Sequence, residues 1–140
     1  MRFHSDSESE SCAFAAELAL GLKPGDVVAL SGALGAGKSV FARALMRALG
    51  VTDEAMPSPT FAIIQEYLGR DCRVAHMDWY RLDCAEELEA IGVREYMQPP
   101  WICIVEWPER APALLPPSAR HVSIVVAPGH PQAREICVDD

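Results

Sequence analysis

The sequence predicts an α/β fold in three layers, with a mostly parallel central sheet to which antiparallel hairpin strands are added. Three observations carry this reading. Segments of helical periodicity alternate with short β-rich runs along the chain, the order that a parallel sheet with crossover helices produces. Two of the runs, "VVALS" and "WICIV", are continuously apolar, as strands covered on both faces are. A glycine-rich stretch stands directly between the first of them and an amphipathic helix.

A chain of 140 residues has room for one domain, residues 1–140, and buries about 70% of the surface that its unfolded form exposes. Half of the residues are hydrophobic, yet no run approaches the roughly 18 apolar residues of a membrane-crossing helix. The N-terminus is acidic and polar where a signal peptide is basic and then apolar, so a cytoplasmic protein with no membrane partner is expected. Five cysteines (Cys12, Cys72, Cys84, Cys103, Cys137) are scattered without a C-x-x-C spacing and read as reduced, mostly buried small hydrophobes. The four histidines do not supply the paired spacing of a zinc site. A formal charge of −8 argues against direct binding to DNA or RNA, because phosphate backbones reward clustered Lys and Arg.

The elements follow in order. A short strand is expected near Phe3. "ESCAFAAELALGL" has apolar residues at helical spacing, with Ser9 or Ser11 as its N-cap. "PGD" ends it and leads into the strand "VVALS" and the glycine loop. "KSVFARALMRALG" is a helix with Phe41, Leu45, Met46 and Leu49 on one face, Arg43 and Arg47 on another, and Gly50 at the C-terminal glycine cap. Two prolines then forbid a helix, and two β-rich runs joined by "LGRD" predict a hairpin. "DCAEELEAIGVREYM" reads as a helix that breaks near Gly92, with Leu88 and Ile91 inward and Glu86, Glu87 and Glu89 solvated. After the buried strand "WICIVE" come a proline-rich link and a terminal hairpin turned at "PGHP".

Only two lysines occur in the chain, and one of them, Lys38, stands directly behind three closely spaced glycines. Gly32 to Ser39, "GALGAGKS", fits G-x-x-x-x-G-K-[ST] without a mismatch. A chance match in a chain of this length has a probability on the order of half a percent. The flanking strand and helix are the context that the pattern requires, and together they give a P-loop NTPase-like fold. In such a loop the glycines turn backbone amides inward, and the helix start adds N–H donors and the positive end of its dipole. Polyphosphate binding follows, with Lys38 against the β- and γ-phosphates and the Ser39 hydroxyl on Mg²⁺. The cation also needs a carboxylate at a neighbouring strand end, and Asp78 and Glu106 both qualify. One acid would bind metal while the other acts on the attacking water, and the residues alone leave the two roles open. The absence of an N-K-x-D loop favours ATP over GTP. "SPTF" (Ser58 to Phe61) reads either as a plain turn or as a γ-phosphate sensor, and Arg81 and Arg110 as surface salt bridges or charge clamps.

Taken together and in this order, "GALGAGKS", "SPTF", "HMDWYRL" and "IVEWPE" resemble the bacterial TsaE (YjeE) family, small P-loop ATPases of tRNA threonylcarbamoyladenosine biosynthesis. The likeness runs from about Ser11 to Glu109, and its H-x-D-x-Y-R-L and E-W elements are far more specific than the glycine loop. The resemblance implies that Gly35, Ala36, Gly37, Lys38 and Ser39 hold the phosphates of ATP or ADP, with Val40 also binding the nucleotide, and that Ser39 and Glu106 ligate Mg²⁺. It implies Asp78 as the acid needed for hydrolysis, Thr60 facing the γ-phosphate, and Trp107 shaping the site beside the metal-binding acid. The adenine is expected between the N-terminal segment and the C-terminal hairpin, with Arg134 as a contact. The implied partners are the TsaD and TsaB proteins, with tRNA reached only through that complex.

Two positions depart from the family's usual G-D-L-G-A-G-K-T: Ala33 replaces the Asp, and Ser39 replaces the Thr but preserves the hydroxyl. Two other functions fit the glycine loop alone, a small-molecule kinase and a nucleotide-sensing binding module. A kinase usually carries an arginine-rich lid, which this chain lacks, and a sensor has no need of both acids.

Overall fold

Val27–Ser31 (β2) is buried along most of its length because it has a parallel neighbour on each side, Trp101–Glu106 (β5) and Arg120–Val126 (β6). This computed structural model describes residues 1–57 and 63–139. Its other strands are β1 (Arg2–Ser5), β3 (Ile64–Leu68), β4 (Arg73–Asp78) and β7 (Arg134–Asp139), in the sheet order β1-β7-β6-β2-β5-β4-β3. The central four, β6, β2, β5 and β4, are parallel. The predicted hairpins add antiparallel strands at the two sides, β3 beside β4 and β7 with β1 beside β6.

Alternation along each strand divides the core in two. Val28, Leu30, Val74, Ile102, Ile104 and Ile124 face α1 (Glu8–Leu20) and α2 (Lys38–Ala48), which contribute Phe14, Phe41, Leu45 and Met46. Burying Phe41, Leu45 and Met46, all at most 1% exposed, contributes roughly 1.5–3 kcal/mol each. On the other face, Val27, Ala75, Met77, Cys103 and Val105 pack with Trp79, Leu88, Val93 and Leu114. The result is the expected three-layer α/β arrangement. No helix among the described residues is long and apolar enough to cross a membrane.

Gly50 ends α2 as predicted. Its N–H donates to the Arg47 carbonyl at 3.1 Å and the Val51 N–H to the Met46 carbonyl at 3.0 Å, the paired bonds of a Schellman cap. Its φ of +99° is one that a side chain disfavours, and an added Cβ would lie 2.6 Å from the Arg70 nitrogen.

Three local readings need correction. The N-cap of α1 is Ser7, whose Oγ accepts from the Glu10 N–H at 3.1 Å, whereas Ser9 and Ser11 lie inside the helix. Ser11 is buried and its hydroxyl bonds Ser5 Oγ at 2.7 Å, tying β1 to the first helical turn. The acidic segment forms only α3 (Glu86–Ala90), then a left-handed Gly92 and a 3-10 turn, Val93–Met97. So short a helix buries Leu88 completely but leaves Ile91 44% exposed. All five cysteines are free as expected, but only Cys72 and Cys103 are buried, with Cys84 exposed and the other two half-buried.

Candidate functional site

The loop from Gly32 to Gly37 joins the C-terminal end of β2 to α2, so the sheet edge and a helix start meet there. Gly37 is the N-cap of α2 with φ 102°, a left-handed geometry open to glycine and costly for other residues. The Phe41 N–H donates to the Gly37 carbonyl at 2.9 Å. The N–H groups that precede it belong to the turn that a helix cannot pair internally, and the positive end of the helix dipole lies with them.

Parallel pairing brings two acids to this same edge. Asp78 closes β4, Glu106 closes β5, and the two are directly opposite in register. With Lys38, Ser39, Tyr80 and Trp107 they line a cleft of about 510 Å³. The Ser39 hydroxyl donates to Glu106, 3.1 Å from Oε1 and 3.3 Å from Oε2. His76, two residues before Asp78 on the same face of β4, is fully buried, with Nε2 2.6 Å from Glu106 Oε2.

Lys38 is buried at the bottom of the cleft, where its ammonium donates to the Gly32 carbonyl and lies 3.4 Å from the centroid of the Trp107 ring. Burial lowers its pKa, opposed by the negative charges of Glu106, Glu109 and Asp78. Burial raises the Asp78 carboxyl. The Tyr80 N–H, 2.9 Å from Oδ1, opposes that rise, and the Glu106 charge reinforces it. Trp107 has left-handed backbone (φ 59°, ψ 51°) and packs on Tyr80 with ring centroids 4.8 Å apart. The Arg110 guanidinium lies 5.5 Å from the centroid of the Tyr80 ring.

A second cavity, of about 170 Å³, opens on the other side of the glycine loop between the start of α1 and the terminal hairpin. Gly35, Ala36, Gly37 and Val40 line both spaces. Arg134 forms its wall, with Nε donating to the Ala36 carbonyl at 2.8 Å and Nη1 to the Pro131 carbonyl at 2.7 Å. The guanidinium therefore braces the loop from β7.

Of the residues singled out in the sequence, Gly35, Ala36, Gly37, Lys38, Ser39, Val40, Asp78, Glu106 and Trp107 line the cleft, together with Arg81. Arg134 lies in the adjoining cavity, and Thr60, with the rest of "SPTF", lies outside the described residues. Sequence reasoning gave His76 and Tyr80 no role. The H-x-D spacing carried the signal for His76, since residues i and i+2 of a strand share a face.

The sequence profile described as "Threonylcarbamoyl adenosine biosynthesis protein TsaE" matches residues 5–136. A Bacillus subtilis protein named tRNA threonylcarbamoyladenosine biosynthesis protein TsaE is 36% identical over 136 residues, covering 97% of this chain and 83% of that protein. A Treponema pallidum protein of the same name is 37% identical over 139 residues, 99% of each chain. The crystal structure of Bacillus subtilis YdiB superposes with a TM-score of 0.81 at 32% identity, covering 97% of this chain and 82% of that one. With the fold, the glycine loop and its facing acids in view, these likenesses agree: the chain belongs to the TsaE family.

Proposed function

We propose that this chain is a Mg²⁺-dependent ATP-binding and hydrolysing accessory protein of tRNA N6-threonylcarbamoyladenosine biosynthesis. It acts in the cytoplasm with TsaD and TsaB, and meets tRNA through that complex. The names of the relatives support the pathway. The observation that carries the chemistry is the Ser39–Glu106 pair, a hydroxyl bonded to a buried carboxylate behind a loop that also supplies a buried ammonium, Lys38.

That donor set fits magnesium. Both groups are hard oxygens, and Mg²⁺ takes one or two protein ligands and completes its shell with phosphate oxygens and water. Among the described residues no cluster of three or more His, Cys, Asp or Glu forms a metal cage, and this mode of binding requires none. When bound, Mg²⁺ neutralises charge on the β- and γ-phosphates and fixes their orientation.

Each side chain then has a task. Lys38 exchanges the Gly32 carbonyl and the Trp107 face for phosphate oxygens, and its desolvated ammonium makes strong charge-assisted bonds there. Ser39 and Glu106 hold the metal. Asp78 acts on water: Oδ1 is engaged by the Tyr80 N–H, which leaves Oδ2 to accept the proton. The apolar cavity beside Val40 and Phe41 takes the adenine, with Arg134 holding the loop in shape. Thr60 is assigned to the γ-phosphate on the family resemblance alone.

Phosphate release from ATP, measured with and without TsaB and TsaD, tests this reading. Weak turnover alone and acceleration by the partners are expected, and Lys38→Ala should weaken ATP binding about 10- to 100-fold. Rapid turnover indifferent to the partners, unchanged binding in Lys38→Ala, or ADP formation that requires an added small-molecule acceptor would each overturn it.

A further inference from the structure

The geometry points to His76 as a positioning residue that holds the Glu106 carboxylate in the orientation needed for the divalent cation. The inference rests on the proposed metal role of Glu106. His76 and Glu106 are both buried, at 0% and 2% exposure, on adjacent parallel strands. His76 Nε2 is 2.6 Å from Oε2, and Ser39 Oγ is 3.1 Å from Oε1 and 3.3 Å from Oε2, so the imidazole makes the shorter contact and holds one oxygen while the hydroxyl spans both.

The grip settles which ring nitrogen donates. Nδ1 is buried with no hydrogen-bond partner among the described residues, so a proton placed there would be a desolvated, unpaired N–H. The proton belongs on Nε2, where the carboxylate receives it. With Oε2 held by the imidazole, Oε1 is the Glu106 oxygen that would ligate a cation in the cleft beside Ser39. An outer partner of this kind orients a ligating group without touching the ion. Replacing the imidazole by an apolar group would leave a buried carboxylate with Ser39 as its remaining side-chain hydrogen-bond partner among the described residues, able to rotate out of the ligating orientation.

The experiment uses the full chain with Mn²⁺ as the spectroscopic probe of the cation and ADP as the nucleotide. Three quantities are measured for wild type, His76→Leu and His76→Gln: metal-free ADP affinity, Mn²⁺ affinity of the ADP complex by electron paramagnetic resonance, and melting temperature. His76→Leu is expected to weaken Mn²⁺ binding about 10- to 100-fold with metal-free ADP affinity unchanged. His76→Gln places an amide N–H near the position of Nε2 and is expected to recover most of the loss. A folded His76→Leu that binds Mn²⁺ like wild type, or a folded His76→Gln that binds as poorly as the leucine variant, would overturn the proposal. Nitrogen-15 NMR of the wild-type imidazole is independent of variant folding: a proton on Nε2 supports the assignment, and a proton on Nδ1 alone refutes it. Failure of the wild-type ADP complex to bind Mn²⁺ would overturn the metal reading and this proposal with it, whereas wild-type binding that is insensitive to His76 overturns this proposal alone.

Discussion

The ammonium of Lys38 lies 3.4 Å from the centroid of the Trp107 indole, and the same indole packs on Tyr80 at 4.8 Å. A desolvated cation on an aromatic face is worth about 2 kcal/mol or more, and any anion that recruits Lys38 has to compete with that contact. Trp107 itself is held in a left-handed backbone conformation that non-glycine residues seldom adopt. Such an outlier lining a cleft marks a position whose geometry the surrounding structure enforces.

Departure of the ammonium from the ring should therefore be visible in Trp107 emission. Titration with Mg-ATP is expected to change tryptophan fluorescence in wild type and in Trp101→Phe, whose indole lies at the opposite end of β5, against Tyr96. In Trp107→Phe the change is expected to disappear. Persistence of the full signal in Trp107→Phe would show that it arises from another indole, Trp79 or Trp101, and not from Lys38 leaving Trp107.

The role proposed for Asp78 would link hydrolysis to stability through pH. Because burial raises its carboxyl in the folded chain, the folded state keeps this proton to a higher pH than the unfolded state does. Its favourable contribution is present below the ordinary aspartate value and is lost as pH rises through the folded value. At neutral pH the ionised, partly desolvated carboxylate thus destabilises the fold. Asp78→Asn should melt higher than wild type at neutral pH, with the difference shrinking as pH falls toward the aspartate range, and should hydrolyse ATP about 100-fold more slowly. Melting curves across that range and single-turnover phosphate release check the two halves. A variant less stable than wild type at neutral pH would contradict the sign.

Ala33 stands where the family usually has an aspartate, and it lies exposed beside Leu34, which is 71% exposed. Ala33 is not among the residues that line the cleft with Lys38 and Ser39, so restoring the acid is expected to add surface charge without entering it. Ala33→Asp is expected to leave ATP affinity within about twofold, the range of ordinary surface substitutions. Calorimetric titration measures it, and a tenfold change would mean that the loop tip does reach the nucleotide.

The sheet and the loop were legible for physical reasons specific to their residues. "VVALS" could be buried on both faces only as a central strand, and the glycines before Lys38 marked the turn that joins it to α2. Gly50 was readable because its cap chemistry is local. His76 was not: a lone histidine in an apolar strand is ambiguous until the parallel register sets Glu106 opposite Asp78, and that pairing is a tertiary fact. The α1 cap was obscured because Ser5, Ser7, Ser9 and Ser11 all alternate near the helix start, and it takes the folded turn, in which the Glu10 N–H donates to Ser7 Oγ, to single out Ser7. Ile91 failed for a similar reason, since periodicity does not report that α3 ends at Ala90.

Gly50 yields the last prediction. The turn after α2 brings the backbone of residue 70 against it, with the Arg70 N–H donating to the Leu49 carbonyl at 2.7 Å. A methyl group on Gly50 would meet Arg70 backbone at 2.6 Å and also occupy a left-handed conformation. The conformational term alone costs about 1–2 kcal/mol, and relieving the clash means separating the β3–β4 turn from the end of α2. Gly50→Ala is therefore expected to destabilise the fold by about 2 kcal/mol or more, lowering the melting temperature by about 5 °C or more. ATP affinity of the folded fraction should be preserved, because the cap is at the far end of α2 from Lys38 and Ser39. Denaturant unfolding of the two proteins decides it: equal midpoints would show that the loop moves aside without cost.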